Sequence, residues 1–417
     1  MEKCESRTVY FLVKFVGGGP GHGLYEVKIE RGKILGKLGG LLDPLCKFFD
    51  RSNPEIPKEY LLSATRFGSR SGLYLLQHEG PGGWWLRESS TRSHNSYEGR
   101  IFDTMSKKLM PFKKMPSVKK AAVLISAYGK LYHLAHFWSN APDPDPSFEV
   151  YDPDAGFWTK LPRLPYDGRY LIAGYALCCD CILISMWGHT RGNFWVYQVT
   201  LDQWKQIIIP TEDANDICPF HGRAVVVGDT IYALSFYGSI IAYSMIMEKL
   251  ADGSLKFSLG KQICLCGLHS LFLRDPECSP RTQCLVHLGG LNFCLFQTVS
   301  RDFTTQRVWI TTFDIVSSGG RKLIRTLDST MRKVAIKGLG QFRLEYSGFC
   351  LECEDLEPKG KETMATSSKM QPTDAPQLHM HEKAKIKIIK RQIQKQRRKM
   401  MNHRSKRLAA MQKLFMS

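Results

Sequence analysis

The sequence predicts an all-β fold built from repeated four-stranded sheets, on three observations. One stretch recurs. FEVYDPDAGFWTKLPRLP, at 148–165, alternates apolar and polar residues into an Asp-Pro turn, then a Trp and two Leu-Pro steps. Shifted upstream by 49 residues it falls on IFDTMSKKLMPFKKMP (101–116), which sets Phe102-Asp103 beneath Tyr151-Asp152. Shifted downstream by 46 it falls on VYQVTLDQWKQI (196–207), with Tyr197 beneath Tyr151 and Trp204 beneath Trp158. A further 46 reaches AYSMIMEKL (242–250), with Tyr243 in the Tyr place, and a weaker copy lies at TFDIVSSGGRKL (312–323). The second observation is what separates the copies. The apolar segments at 123–137, 176–188, 224–238 and 284–296 each carry a polar or Gly turn near the middle. The third is that strand-like alternation begins almost at once, in TVYFLVKF and GLYEVKIERGKIL.

Each element of the repeat has a physical reason. Two buried strands join through a tight turn, a wetter strand follows, and after a second turn comes a strand carrying the Trp. Repeats of this length with four short strands indicate a β-propeller, because a twisted sheet buries both faces only when other sheets pack against it. The Trp supplies a large apolar plug between sheets. Asp-Pro and Asp-Gln steps turn the chain. Leu-Pro leaves the last strand, where a missing N–H is harmless. Residues 1–353 are expected to form this domain, with six blades and seven as the alternative. The late strand at 340–353 is expected to return to the N-terminal strands and so remove exposed edges.

The residues Tyr151, Asp152, Trp158, Leu161-Pro162 and Leu164-Pro165, with partial copies at Phe102, Asp103, Tyr197, Trp204 and Tyr243, resemble kelch-repeat propellers, especially plant F-box/kelch proteins. The resemblance covers roughly residues 100–330. The Gly-Gly doublet that ends the second strand in that family survives here at Gly289-Gly290, and the other copies depart from it. No helix-patterned module precedes the strands, so the resemblance does not carry over a ubiquitin-ligase role through an F-box. It implies an intracellular, non-enzymatic scaffold that binds a protein partner through propeller loops, expected to be a monomer without cofactor. The alternatives are a metal-dependent kelch enzyme of the plant specifier type and an RNA-associated factor.

Composition frames these expectations. The chain has 417 residues, 43% hydrophobic and 23% charged, as a globular protein with a sizeable core does. No apolar run approaches the ~18 residues of a membrane-spanning helix. The N-terminus does not read as a signal peptide, so the nucleus or cytoplasm is expected, with the 13 cysteines reduced. The net charge of +19 is concentrated at one end, because residues 382–417 hold thirteen Lys or Arg and one acid. Residues 354–381 lack aromatics and read as a disordered linker. The tail at 382–417 reads as a basic amphipathic helix. Its cluster Lys390, Arg391, Lys395, Arg397, Arg398 and Lys399 suits the acidic groove of a nuclear import receptor. RNA, calmodulin-like partners and anionic membrane are its other candidate contacts.

Other motifs read as structure before chemistry. GGGPGHG (17–23) has no phosphate-binding register and joins two strands. Cys178, Cys179 and Cys181, like Cys264, Cys266 and His269, lack knuckle spacing, and the cysteines are expected as buried small hydrophobes on strands. Glu212 and Asp216 have the spacing of the specifier iron site, but Phe220 stands where its His belongs and His221 comes one place late. No metal ligand and no catalytic residue is assigned. Lysine doublets at 107–108, 113–114 and 119–120 form either a basic strip for an acidic partner or a solvated outer strand. Trp84 and Trp85 lie in a Gly/Ser-rich insertion, as interface anchors or as blade packing.

Overall fold

The computed structural model describes residues 6–16, 22–48, 60–66, 72–79, 99–113, 119, 122–135, 146–166, 170–188, 193–208, 220–235, 238–251, 255–271, 282–299, 305–335 and 341–350. All lie in the first of two units, Met1–Gly360 and Lys361–Ser417. Among the described residues the regular structure is β-strand, with no α-helix. The expected linker and basic tail fall outside the described residues.

The strands form antiparallel meanders. The first sheet holds β1 (Ser6–Val16), β2 (His22–Glu30) and β3 (Lys33–Ile34), with β5 (Cys46–Phe48) added to β2. The second is β6 (Tyr60–Arg66), β7 (Gly72–Glu79), β8 (Gly99–Asp103) and β9 (Lys108–Phe112). The third is β10 (Ala122–Ala127), β11 (Lys130–Ala135), β12 (Phe148–Asp152) and β13 (Phe157–Lys160). Next come β14 (Tyr170–Cys178), β15 (Cys181–Gly188), β16 (Asn193–Gln198) and β17 (Gln203–Ile208). They precede β18 (His221–Val227), β19 (Thr230–Leu234), β20 (Ile240–Lys249) and β21 (Leu255–Leu259), with β22 (Ile263–Cys264) beside β20. These two meanders share one nine-stranded sheet, because β14 and β18 pair in parallel through Gly174↔Gly222 and Tyr175↔Arg223. Gly174 permits that approach: a Cβ there would sit 2.3 Å from the Gly222 carbonyl oxygen. The last meander is β23 (Thr282–Gly289), β24 (Asn292–Val299), β25 (Thr305–Ser318) and β26 (Arg321–Ala335), with β4 (Leu41–Leu42) parallel to β26. Finally β27 (Gln341–Cys350) pairs with β1, from Val9↔Cys350 to Val16↔Gln341. The expected return of the late strand to the N-terminal strands is therefore present.

Local sequence explains the hairpins. Tyr128-Gly129 and Cys179-Asp180 each put both residues of a two-residue turn at positive φ, the geometry that matches strand twist, and in the β23–β24 turn, closed by Gly289 opposite Asn292, Gly290 has positive φ. Two expectations need correction here. Gly289-Gly290 does not end a second strand; it turns the chain between the first and second strands of its meander. Cys179 is not on a strand either, because it forms the turn between β14 and β15. Early strands are buried and late strands are wet. β19 is buried throughout, whereas β9 and β13 are largely exposed.

Apolar clusters join neighbouring meanders. Tyr10, Leu12 and Leu24 meet Leu73, Leu75 and Phe102 across the first and second. Tyr74 and Phe112 meet Leu124, Leu131 and Tyr151 across the second and third. Tyr132, Leu134 and Phe148 meet Ile182, Ile184 and Tyr197, and Phe194 and Val196 meet Ile231 and Tyr243. Tyr232 and Leu234 meet Phe293 and Phe313. Phe11 and Ile29 meet Phe296 and Ile310, which brings the last meander back to the first. Each fully buried large side chain contributes about 1.5–3 kcal/mol. The first strands follow the same order: β27 lies beside β23 and β6, β6 beside β10, and β18 beside β14 and β23. The arrangement is all-β and propeller-like.

Candidate interaction surface

The recurring aromatic position has a structural job. Tyr151 stands opposite Trp158 across β12 and β13, with ring centroids 5.4 Å apart, and Phe112 of the preceding sheet packs 4.9 Å from Tyr151. Tyr197 and Trp204 repeat the pair at 5.1 Å, now against Phe148 at 4.9 and 5.3 Å. Tyr243 keeps its place against Phe194, but its hydroxyl donates to Gln262 at 2.7 Å and no Trp accompanies it. Phe102 is buried against the first sheet. The acids that follow cap turns. Asp103 accepts from the Met105 and Ser106 amides. Asp152 accepts from the Asp154 and Ala155 amides and pairs with Lys130 at 2.9 Å, and these bonds, led by Lys130, hold its carboxyl below the usual range. The first sheet carries the same position as Ile29-Glu30, with Ile29 facing Ile34 on β3. Sequence reasoning missed that copy because neither the aromatic nor the aspartate survives.

The residues with the most chemical potential are sealed inside. Cys178 and Cys181 flank their turn in one apolar cluster, with Cys178 Sγ 3.7 Å from Met245 Sδ. Burial pushes the Cys181 thiol up to about 12, and Cys178 rises as well. Such thiols stay protonated and inert. The second cluster corrects the expectation of buried strand residues: Cys264 ends the short β22 and Cys266 follows it off the strand, and both are exposed, as is His269. His221 lies on β18 with its pKa lowered by burial, while Glu212 and Asp216 fall outside the described residues. Trp84 and Trp85, the 17–21 part of the glycine run and Lys114 and Lys120 also fall outside them.

Of the lysine doublets, Lys107, Lys108 and Lys113 are exposed, as a solvated outer strand and turn would have them, but Lys119 fits neither the strip nor the solvated strand. Lys119 is fully buried and pairs with Glu149, whose side chain is 1% exposed. Burial lowers the Lys119 pKa, and Glu149 partly restores it. Glu149 stands opposite His133, and two residues from Tyr151 on β12 it shares the side facing the second sheet. Nothing in the sequence distinguishes Lys119 from a solvated lysine. The surface that remains lies on outer strands. Met105, at the tip of the β8–β9 turn, is 82% exposed, and Phe157 on β13 is 59% exposed. Leu109 and Met110 on β9 are exposed too. Lys113 Nζ donates to the Gly156 carbonyl at 2.5 Å, so β9 runs against the β12–β13 turn. Lys107 borders the patch, 3.3 Å from Glu26 and above the Tyr10 ring.

A family model described as "Protein of unknown function (DUF1668)" matches residues 93–334, more than half of the chain. It spans β8 to β26 and nearly coincides with the region of recognisable repeats. No curated protein matches the chain.

Proposed function

The chain belongs to the DUF1668 family, and from its geometry we propose a six-bladed, kelch-type propeller that serves as a non-enzymatic scaffold for another protein. Support for six blades comes from the interfaces. The third-strand positions Ile29, Phe102, Tyr151, Tyr197, Tyr243 and Phe313 each fall in a different inter-sheet cluster. One register thus accounts for every neighbouring pair, and β27 with β1 joins the two ends. The kelch resemblance of roughly residues 100–330 gives the family expectation of recognition by loops on a rigid frame.

The observation that carries the scaffold reading is the distribution of side chains. Ionisable groups such as Lys119, Glu149 and Cys178 are spent inside the frame, while Leu109, Met110 and Phe157 on outer strands and Met105 on the β8–β9 turn stand in water. Exposed apolar groups beside charged ones suit a protein partner. The basic tail is read as an address, with Lys390, Arg391, Lys395, Arg397, Arg398 and Lys399 engaging an import receptor, so that the protein works in the nucleus or cytoplasm.

Affinity purification with mass spectrometry tests this, comparing the full chain with one ending at Cys353. A protein partner retained by both is expected. Loss of every partner with the tail would contradict a propeller-borne function. Stoichiometric iron in the purified chain would contradict the non-enzymatic reading.

A further inference from the structure

The outer edge of the last sheet carries a second surface of different chemistry. Residues 31–42, RGKILGKLGGLL, cross from the first sheet and dock on β26. The Gly39 amide donates to the Met331 carbonyl at 2.7 Å, and the Lys333 amide to Gly40 at 2.9 Å. The Ile34 amide donates to Asp328 at 2.8 Å, and Thr312 to the Gly32 carbonyl. The segment is thus fixed, yet its leucines point outward: Leu38 is 68% and Leu41 57% exposed, with Leu35 exposed beside them. Along β26 the side chains of Arg321, Leu323, Arg325 and Leu327 alternate outward at period two. The two stretches are continuous, because a Cβ on Gly32 would come within 2.7 Å of Leu327.

Positive charge surrounds these leucines. Arg31, Lys33, Lys37, Arg321 and Lys333 are exposed, and none makes an ion pair among the described residues. Arg325 is matched by Asp314, and Glu30 and Asp43 are the exposed acids at the ends of the segment. Beneath Gly36 lies Arg332, which is 3% exposed. Its Nη2 donates to the Leu35 carbonyl at 2.8 Å, while its Nη1 makes no hydrogen bond among the described residues.

We propose that this face docks an acidic, leucine-bearing segment of a partner protein. Unpaired cations set around exposed leucines are complementary to carboxylates set around apolar side chains, and such complementarity guides association and orientation. A protein is favoured over an anionic membrane because the exposed groups alternate along a strand and carry no Trp or Tyr, the residues that sit at lipid headgroups. The proposal rests on the scaffold reading and adds the partner's chemistry.

Fluorescence anisotropy of the full chain tests it with a labelled peptide of alternating glutamate and leucine. The controls are the same peptide with lysine for glutamate, and phosphatidylserine vesicles. The acidic peptide is expected to bind, more weakly as salt rises. Leu38→Ser/Leu41→Ser and Arg31→Glu/Lys37→Glu are each expected to weaken it roughly tenfold without changing the near-ultraviolet circular dichroism. Equal binding of both peptides, or no loss in either variant, would overturn the proposal. Vesicle binding that those variants abolish, with the peptide unbound, would assign the face to membrane. The variants also separate two failures. Partners captured by the full chain and retained by both variants overturn this surface and leave the scaffold reading intact, whereas a chain that captures no partner overturns the scaffold reading itself.

Discussion

Two neighbouring interfaces of this fold solve one packing problem in different ways. Between the third and fourth meanders the seam is apolar and aromatic: Phe148, Tyr132, Tyr197 and Trp204 pack ring against ring. Between the second and third the apolar cluster is small, and the third sheet turns Glu149 and His133 to that side, with Lys119 against Glu149. The aromatic seam gains from burial alone. The ionic one must offset the desolvation of two charges, which good geometry only partly does. A repeated strand pattern therefore fixes where sheets meet without fixing what chemistry seals them.

The largest expected effects come from one substitution on each side. Phe148→Ala should cost about 3–5 kcal/mol by leaving a cavity in the aromatic seam. Glu149→Ala should cost a similar amount, about 3–5 kcal/mol, for a different reason: it strands the Lys119 ammonium in a buried site. Denaturant unfolding measures both. The comparison breaks if Glu149→Ala is tolerated, since Lys119 would then have access to water.

The double variant Lys119→Met/Glu149→Leu sharpens the difference. It removes both charges and should restore stability to within about 1–2 kcal/mol of the parent, or exceed it. No second change of that kind should rescue Phe148→Ala. The pH response follows the lowered Lys119 pKa. The unfolded chain takes up this proton near the ordinary value of 10.5 and the folded chain only below it, so stability should rise with pH through the window just under 10.5. The double variant should lose that rise, as thermal melts across alkaline pH would record. A smaller effect belongs to Asp152→Ala, which deletes the carboxylate that caps a surface turn. A loss smaller than that of either core substitution is expected in the same denaturant unfolding. The smallest belongs to Met105→Ser and Phe157→Ser, expected within about 0.5 kcal/mol of the parent because both side chains already stand in water.

Much of the frame was legible in the sequence, and particular residues show why. Tyr151, Trp158, Tyr197 and Trp204 announce themselves because a cross-strand aromatic pair needs fixed spacing around a turn. The pairing of β27 with β1 was legible because strand-like runs stand at both ends of the expected 1–353 domain, and pairing them removes two exposed edges. Ile29 was not, since it fills the aromatic place with an ordinary β-branched residue. The doublet Gly289-Gly290 misled because a glycine pair serves equally at either end of a strand, and only pairing tells which. Lys119 was hidden for a plainer reason. A lysine is buried or exposed by its partner, and Glu149 lies 30 residues away. The surface on residues 31–42 was equally hidden, because its place on β26 depends on contacts nearly 300 residues apart in sequence.

The closed ring is the claim on which the rest depends, and hydrogen exchange read by mass spectrometry tests it most directly. If β27 seals the ring, the amides of β1 and β27 should exchange together and as slowly as those of β14 and β18 in the nine-stranded sheet. If β1 and β27 exchange like an unfolded peptide while β14 and β18 stay protected, the ring is open and the account is wrong.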